Sequence, residues 1–212
     1  MIKETLLFGA GGHAKVVMES LFSNGSKSIK LFDDDSAKFA LSWLGYRIEG
    51  GRSELISFWK KHAEQCQGVI VTIGDNHIRQ KIYNEFAQTD LSFASEIHAN
   101  AVIADSVKLG DGLMIMAGVV INPDTHIGNN VIINTGAIIE HDIIIEDHVH
   151  IAPNATLCGG VNVGELTLIG AGAIVLPGVK IGKHCIIGAG AVVIEDVADG
   201  ATVIGAPAKS IG

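Results

Sequence analysis

From Ile97 to Val193 every sixth residue is Ile, Leu or Val, seventeen positions in succession without an insertion. The chain is 48% apolar overall, so chance would produce that run only about once in 10⁵ trials. A helix buries residues at a period near 3.6 and a strand alternates at 2, so a period of six fits neither as one long element. A fixed short period describes a solenoid, in which each coil stacks on the one before.

The rest of the hexad gives the shape of the coil. Counting each of these aliphatic residues as position one, the fifth position is always small, aliphatic, Thr or Cys, from Ala101 to Val197. The fourth is Gly, Asn, Asp or Ser in fourteen of seventeen hexads, residues that tolerate left-handed or tight-turn backbone. Pro123, Pro153 and Pro177 all occupy position three, followed by the turn residues Asp124, Asn154 and Gly178. Each hexad therefore reads as a short strand and a corner, three hexads as a triangular coil, and seventeen hexads as between five and six coils. The pattern resembles the left-handed parallel β-helix of the hexapeptide-repeat acyltransferases. That resemblance alone implies the left hand, because the general rule for crossover connections favours the opposite one.

A compositional break precedes the repeat. All eleven aromatic residues lie before residue 97, and all four prolines (Pro123, Pro153, Pro177 and Pro207) lie after it. Two domains with different cores would sort residues this way. The boundary is expected between Phe93 and Ile97, dividing the chain into residues 1–92 and 93–212.

The first part reads as a Rossmann-like α/β unit. The apolar run Thr5 to Phe8 leads into Gly9-Ala10-Gly11-Gly12-His13-Ala14 and then a helix-like segment from Lys15 to Phe22. This is GxGxxA between strand and helix, the context of the dinucleotide-binding fingerprint. Glycines admit a phosphate to the backbone, and a helix N-terminus supplies N–H donors. Leu31-Phe32 runs into Asp33-Asp34-Asp35, placed to hold ribose hydroxyls or a base edge. Val69 to Ile73 ends in Gly74-Asp75-Asn76 and enters a helix containing Arg79. Three strands thus end on the sheet edge where open α/β folds bind ligands. The unit is about half a full dinucleotide-binding domain, so a nucleotide-sugar fits it more economically than NAD.

Charge and cysteine content narrow the class further. A formal net charge of -8 argues against a nucleic-acid surface. Cys66, Cys158 and Cys185 form no CxxC and no disulfide framework, which suits a reducing compartment. With no long apolar run and no signal segment, the expectation is a cytoplasmic protein without membrane insertion.

Six of the nine histidines lie in the repeat: His98, His126, His141, His148, His150 and His184. His141 occupies position three, on a corner, where side chains face outward. Beside Asp142 it suits a general base whose ring a carboxylate orients. Spacing alone equally accommodates a solvated corner histidine, with Asp142 as a plain turn residue at position four. A metal site from His141, His148 and His150 is disfavoured, because nearby acids are scattered and no cysteine joins them; no metal is expected.

The motifs GAGGHAKVV, FDDD, TIGDNHIRQKIY, INTGAIIEHD and VIGAPAK, in this order and over nearly the whole chain, resemble one subfamily. These are the sugar acetyltransferases that N-acetylate UDP-4-amino-sugars in bacillosamine-type pathways; sialic-acid O-acetyltransferases are near relatives. The resemblance implies His141 as base, Asp142 as its partner acid where relatives often have Glu, and Asn134 as an active-site amide. It implies that His150 lies near the acetyl-CoA thioester, with backbone contacts to the pantetheine arm from Gly159, Ala171 and Ala189. It further implies nucleotide-sugar contacts at Gly11, Gly12, His13, Asp33 and Asp34, acetyl-CoA as co-substrate, and a homotrimer with active sites between chains. Transfer would then be direct, without a covalent intermediate on Cys158. Rival readings are a sugar O-acetyltransferase, a non-catalytic trimeric scaffold, an NAD-linked oxidoreductase and a metal-dependent anhydrase-like prism.

Overall fold

The computed structural model describes residues 3–39 and 42–211. The chain divides into two compact units, Met1–Glu96 and Ile97–Gly212. Residues just before the division belong to the first unit: Phe93 bridges Val69 and stacks on Tyr83, ring centroids 3.8 Å apart.

The first unit contains β1 (Glu4–Phe8), α1 (Gly12–Ser23), β2 (Ile29–Phe32), β3 (Ser42–Trp43), β4 (Tyr46–Arg47), α2 (Arg52–His62), β5 (Cys66–Val71) and α3 (Asn76–Ala87). The parallel sheet has the order β2-β1-β5. Chain direction across the sheet reverses at β1, which makes the carboxyl end of β1 the switch point where such sheets bind ligands. Leu6, Leu7 and Phe8 are buried, as are Val69, Ile70 and Val71; continuous apolar runs are what a parallel sheet covered on both faces demands. Phe8 meets Phe86 of α3 edge-on at 5.2 Å. The helix α2 and the hairpin β3–β4 carry no motif. The hairpin turns through Leu44 and Gly45, both at positive φ (47° and 84°), with Leu where the turn type favours Asn or Asp. The helix α2 starts where the Glu54 carboxylate accepts from the Gly51 N–H at 2.9 Å.

The second unit is the parallel β-helix that the repeat predicts, consistent with the left-handed sense of the hexapeptide family. Each strand is two residues, positions six and one, such as Val120–Ile121. Val120 pairs with Val102 in the coil below and Ile138 in the coil above, a step of one 18-residue coil. Strands starting at Val102, Val120, Ile138, Thr156, Ile174 and Val192 form a first face. Those starting at Lys108, His126, Ile144, Asn162 and Lys180 form a second. A third carries Met114, Ile132, His150, Leu168 and Ile186, extended by Thr202–Ile204. Positions one and five fill the interior, from Leu113 and Ile115 to Ala191 and Val193.

Every position four from Gly112 to Gly190 has positive φ. That includes His148, Leu166 and His184 (φ 62°, 61° and 56°), the three exceptions to the residue-type rule. The cause is a backbone ladder: the position-four N–H donates to the position-three carbonyl one coil below, as in Asp142 to Pro123 (3.1 Å), His148 to Asn129 (2.9 Å) and Gly160 to His141 (2.9 Å). Leaving the corner N–H unpaired would cost about 1–3 kcal/mol, enough to offset a left-handed penalty of about 1–2 kcal/mol for a non-glycine residue. Asn100 and Ser106, in the first coil with none beneath, are not in this conformation; Gly112 in that coil adopts it as a glycine can, and Asp124 donates to Ser106 Oγ instead (2.9 Å).

Candidate active site

The ends of β1, β2 and β5 surround a cleft of ≈ 530 Å³, lined among others by Gly11, Gly12, His13, Asp33 and Asp34. Gly9 must be glycine: its φ is +110°, and a Cβ would stand 2.7 Å from Ile73 Cγ1. Gly11 and Gly12 are different, because a Cβ on either meets nothing within 4 Å. Open space therefore lies before the first turn of α1, which carries no acidic residue. N-terminal amides facing such a space suit a phosphate.

Asp33 holds the cleft together. Its carboxylate accepts from the Ala10 N–H (2.6 Å), the Asp35 N–H (2.8 Å) and Lys38 Nζ (2.9 Å). Burial pushes its pKa up, but the two amides and Lys38 outweigh that and keep it below the ordinary carboxylate value. Asp34 accepts from the backbone N–H of Arg52 (3.0 Å) and its Nε (2.8 Å), and Arg52 also pairs with Glu85. Here too burial raises the pKa and Arg52 more than reverses it. Much of what these carboxylates can accept is thus used within the chain; Asp34, 41% exposed at its side chain, keeps the freer edge.

The third side of the cleft depends on Arg79, which is fully buried. Its guanidinium donates to the carbonyls of Ile73 (3.1 Å) and Gly74 (3.2 Å) and to Asn76 Oδ1 (2.9 Å). Burial lowers its pKa to about 9 against the pull of Asp75, so it stays charged at neutral pH. The apolar wall beside it is Ile73, Ile78 and Ile82, with Ile78 54% exposed. Sequence reasoning missed Lys38, Arg52 and Ile78 as cleft residues and left Arg79 without a role. The available signal for Arg79 was its place three residues after Asn76, on the same helix face.

On the β-helix, His141 Nδ1 lies 2.7 Å from Asp142 Oδ2. The shorter acid reaches the ring because Asp142 takes the left-handed corner conformation (φ 59°). That hydrogen bond pushes the imidazole pKa above the ordinary histidine range; desolvation opposes it, and the charges of Asp142 and Glu140 add to it. Glu140 is itself held by Asn122 Nδ2 at 3.0 Å. Gly159, one coil above, lies against the ring.

Asn134 is not beside His141. Its Nδ2 meets His150 Nε2 at 3.3 Å. The predicted residues therefore fall into two groups. His141, Asp142 and Gly159 occupy the corner between the first and second faces; Asn134, Ala171 and Ala189 occupy the corner between the third and first, with His150 on the third face next to it. His148 is buried against Asn130 at 2.9 Å, and no cluster of three or more metal-ligating side chains occurs among the described residues.

Residues 4–86 match the family described as the PglD N-terminal domain. Residues 124–159 and 160–195 match the bacterial transferase hexapeptide, and 99–123 the hexapeptide repeat of succinyl-transferase. The H141A variant of GDP-perosamine N-acetyl transferase from Caulobacter crescentus, solved with CoA and GDP-perosamine, superposes with a TM-score of 0.92 at 40% identity, covering 100% of this chain and 98% of that one. The chain belongs to the PglD-type hexapeptide-repeat sugar N-acetyltransferases. The acetyltransferase domain of PglB from Neisseria gonorrhoeae FA1090 resembles this chain at a TM-score of 0.91 and 33% identity, covering 99% of this chain and 100% of that one. A second structure of that domain contains acetyl coenzyme A. UDP-N-acetylbacillosamine N-acetyltransferase of Bacillus subtilis (strain 168) is 35% identical over 121 residues, 55% of this chain and 52% of that relative. An uncharacterised protein of Acanthamoeba polyphaga mimivirus, L142, is 35% identical over 106 residues, 50% of this chain. The chain thus spans about half the length of the Bacillus relative and 20% of the mimivirus one. No helix among its described residues is long and apolar enough to cross a membrane.

Proposed function

We propose that this chain transfers the acetyl group of acetyl-CoA directly to the 4-amino group of a UDP-linked amino-sugar, with His141 as general base. The nucleotide diphosphate lies at Gly11, Gly12 and His13, the ribose or base edge meets Asp34, and the apolar wall of Ile78 and Ile82 takes the face of the base. When Nδ1 of His141 donates to Asp142, Nε2 is the accepting nitrogen: it takes a proton as the neutral amine attacks the thioester carbon, and gives it to the CoA sulfur as the C–S bond breaks and the thiol leaves. The Gly159 N–H makes no hydrogen bond among the described residues and is the donor for the oxyanion. Cys158 sits next to Gly159 in sequence but is needed for no covalent step. The GDP-perosamine complex of the Caulobacter relative favours a second reading, a GDP-linked acceptor; paired assays with UDP- and GDP-amino-sugars separate the two. The three free cysteines suit a reducing cytoplasm.

One observation carries the reading. The two groups of site residues flank one face, and that face is predominantly aliphatic: Val102, Val120, Ile138, Thr156, Ile174 and Val192 point outward from it, with Val102 64%, Ile138 38% and Ile174 40% exposed. If three chains pack this face around a threefold axis, the corner bearing His141 meets the neighbour's corner bearing Asn134, Ala171 and Ala189. Acetyl-CoA lies in that groove. The contact is heterologous and closes on itself.

Mixing inactive variants tests this. His141→Ala and Asn134→Ala chains, unfolded and refolded together, should regain about a quarter of the sites, because each active site draws one residue from each of two neighbours. No recovery would mean that both residues serve one chain's site, and the proposed assembly would fail.

A further inference from the structure

Resting on that reading of His141, we infer that Gly159 is a positioning residue for the base: its missing side chain is the seat on which the imidazole lies. A Cβ at Gly159 would stand 2.7 Å from His141 Cε1, 2.8 Å from Nε2 and 3.3 Å from Nδ1. The backbone does not ask for glycine there, because Gly159 is absent from the residues with positive φ. The other position-three residues on this corner are Asp105, Pro123, Pro177 and Glu195, so the residue that lies one coil above the ring is the one glycine in this row and leaves it a bare surface.

The seat is rigid and its occupant is not. Gly159 O accepts from the Gly178 N–H at 3.0 Å, and Gly160 N donates to His141 O at 2.9 Å. These two corner bonds fix the height of Gly159 above the coil that carries His141. The imidazole is 61% exposed, and its one hydrogen-bonding contact among the described residues is with Asp142 at 2.7 Å. A methyl group at residue 159 therefore displaces the ring rather than the coil, and a displaced ring leaves Asp142. The Gly159 N–H survives in alanine, so Gly159→Ala removes the seat and keeps the oxyanion donor.

The test uses the full chain with its histidines isotope-labelled for NMR titration without substrates. In Gly159→Ala the His141 pKa should fall toward the value in Asp142→Asn, with an unchanged melting temperature. Turnover should drop at least about tenfold, as misplacement of a catalytic group does, and acetyl-CoA binding should change little. The double variant Gly159→Ala/His141→Ala should be no slower than His141→Ala alone. A wild-type titration of His141 in Gly159→Ala overturns the inference. So does a loss that adds to that of His141→Ala, or one that lies wholly in KM for acetyl-CoA. Full turnover in His141→Ala by itself would sink the base reading, while the substrate-free titration still decides the seat.

Discussion

At the residue scale, one carboxylate shifts its neighbour and another is itself shifted. Asp142 raises the pKa of His141, and a base works only while unprotonated. Activity should therefore fall with decreasing pH at a point above the ordinary histidine range of about 6.5. Asp142→Asn should move that acid limb of kcat to lower pH and reduce the plateau, and a pH–rate profile measures both; an unmoved limb would detach Asp142 from the base. Asp33 is itself the shifted group, depressed below 3.8. Its stabilising contribution is present above the unfolded carboxylate pKa and lost as pH falls through the folded one. Asp33→Asn turns an acceptor into a donor against Ala10 N–H or Lys38. It should cost about 1–3 kcal/mol at pH 7, raise KM for the nucleotide-sugar and leave KM for acetyl-CoA alone. In denaturation curves the gap from wild type should close below about pH 4.

The scale of single elements shows what the sequence made readable. Period six specified strand and corner because each coil repeats the same burial, and the strands run through positions six and one as that periodicity requires. Corners at His148, Leu166 and His184 escaped a rule based on residue type because the ladder sets their backbone, whatever the side chain. In the first unit the strand–glycine–helix junction was legible. The hairpin β3–β4 and the role of Arg52 were not, since both depend on tertiary contacts without a local pattern. The Asn134–His150 contact was equally hidden: coil stacking joins residues 16 apart. Two glycines separate the backbone cost from the packing cost. Gly178 has φ +74° with open space around a Cβ, whereas at Gly164 a Cβ would lie 2.6 Å from Gly182 C and Lys183 N. Gly178→Ala should cost about 1 kcal/mol from the backbone alone. Gly164→Ala should cost more, because backbone of the next coil must move. Urea midpoints at constant m report the difference.

Across the whole molecule, the proposed trimer would make the aliphatic first face link assembly to activity. Ile138→Asp combined with Ile174→Asp places charge where the proposed trimer packs. The double variant should sediment as a monomer, keep the far-UV spectrum of the β-helix, and lose turnover together with the trimer. An active monomer would show that a single corner suffices. The coil spacing has a consequence for insertions and deletions. Eighteen residues make one coil, so removing a full circuit between His150 and Ala171 would shorten the prism and bring Ala171 and Ala189 back to the same edge. Removing only a third of a circuit would carry both to a different edge and aim them away from the neighbouring chain. Natural length variation in this part of the chain should therefore come in whole circuits, a molecular odometer that tolerates complete revolutions and rejects fractions.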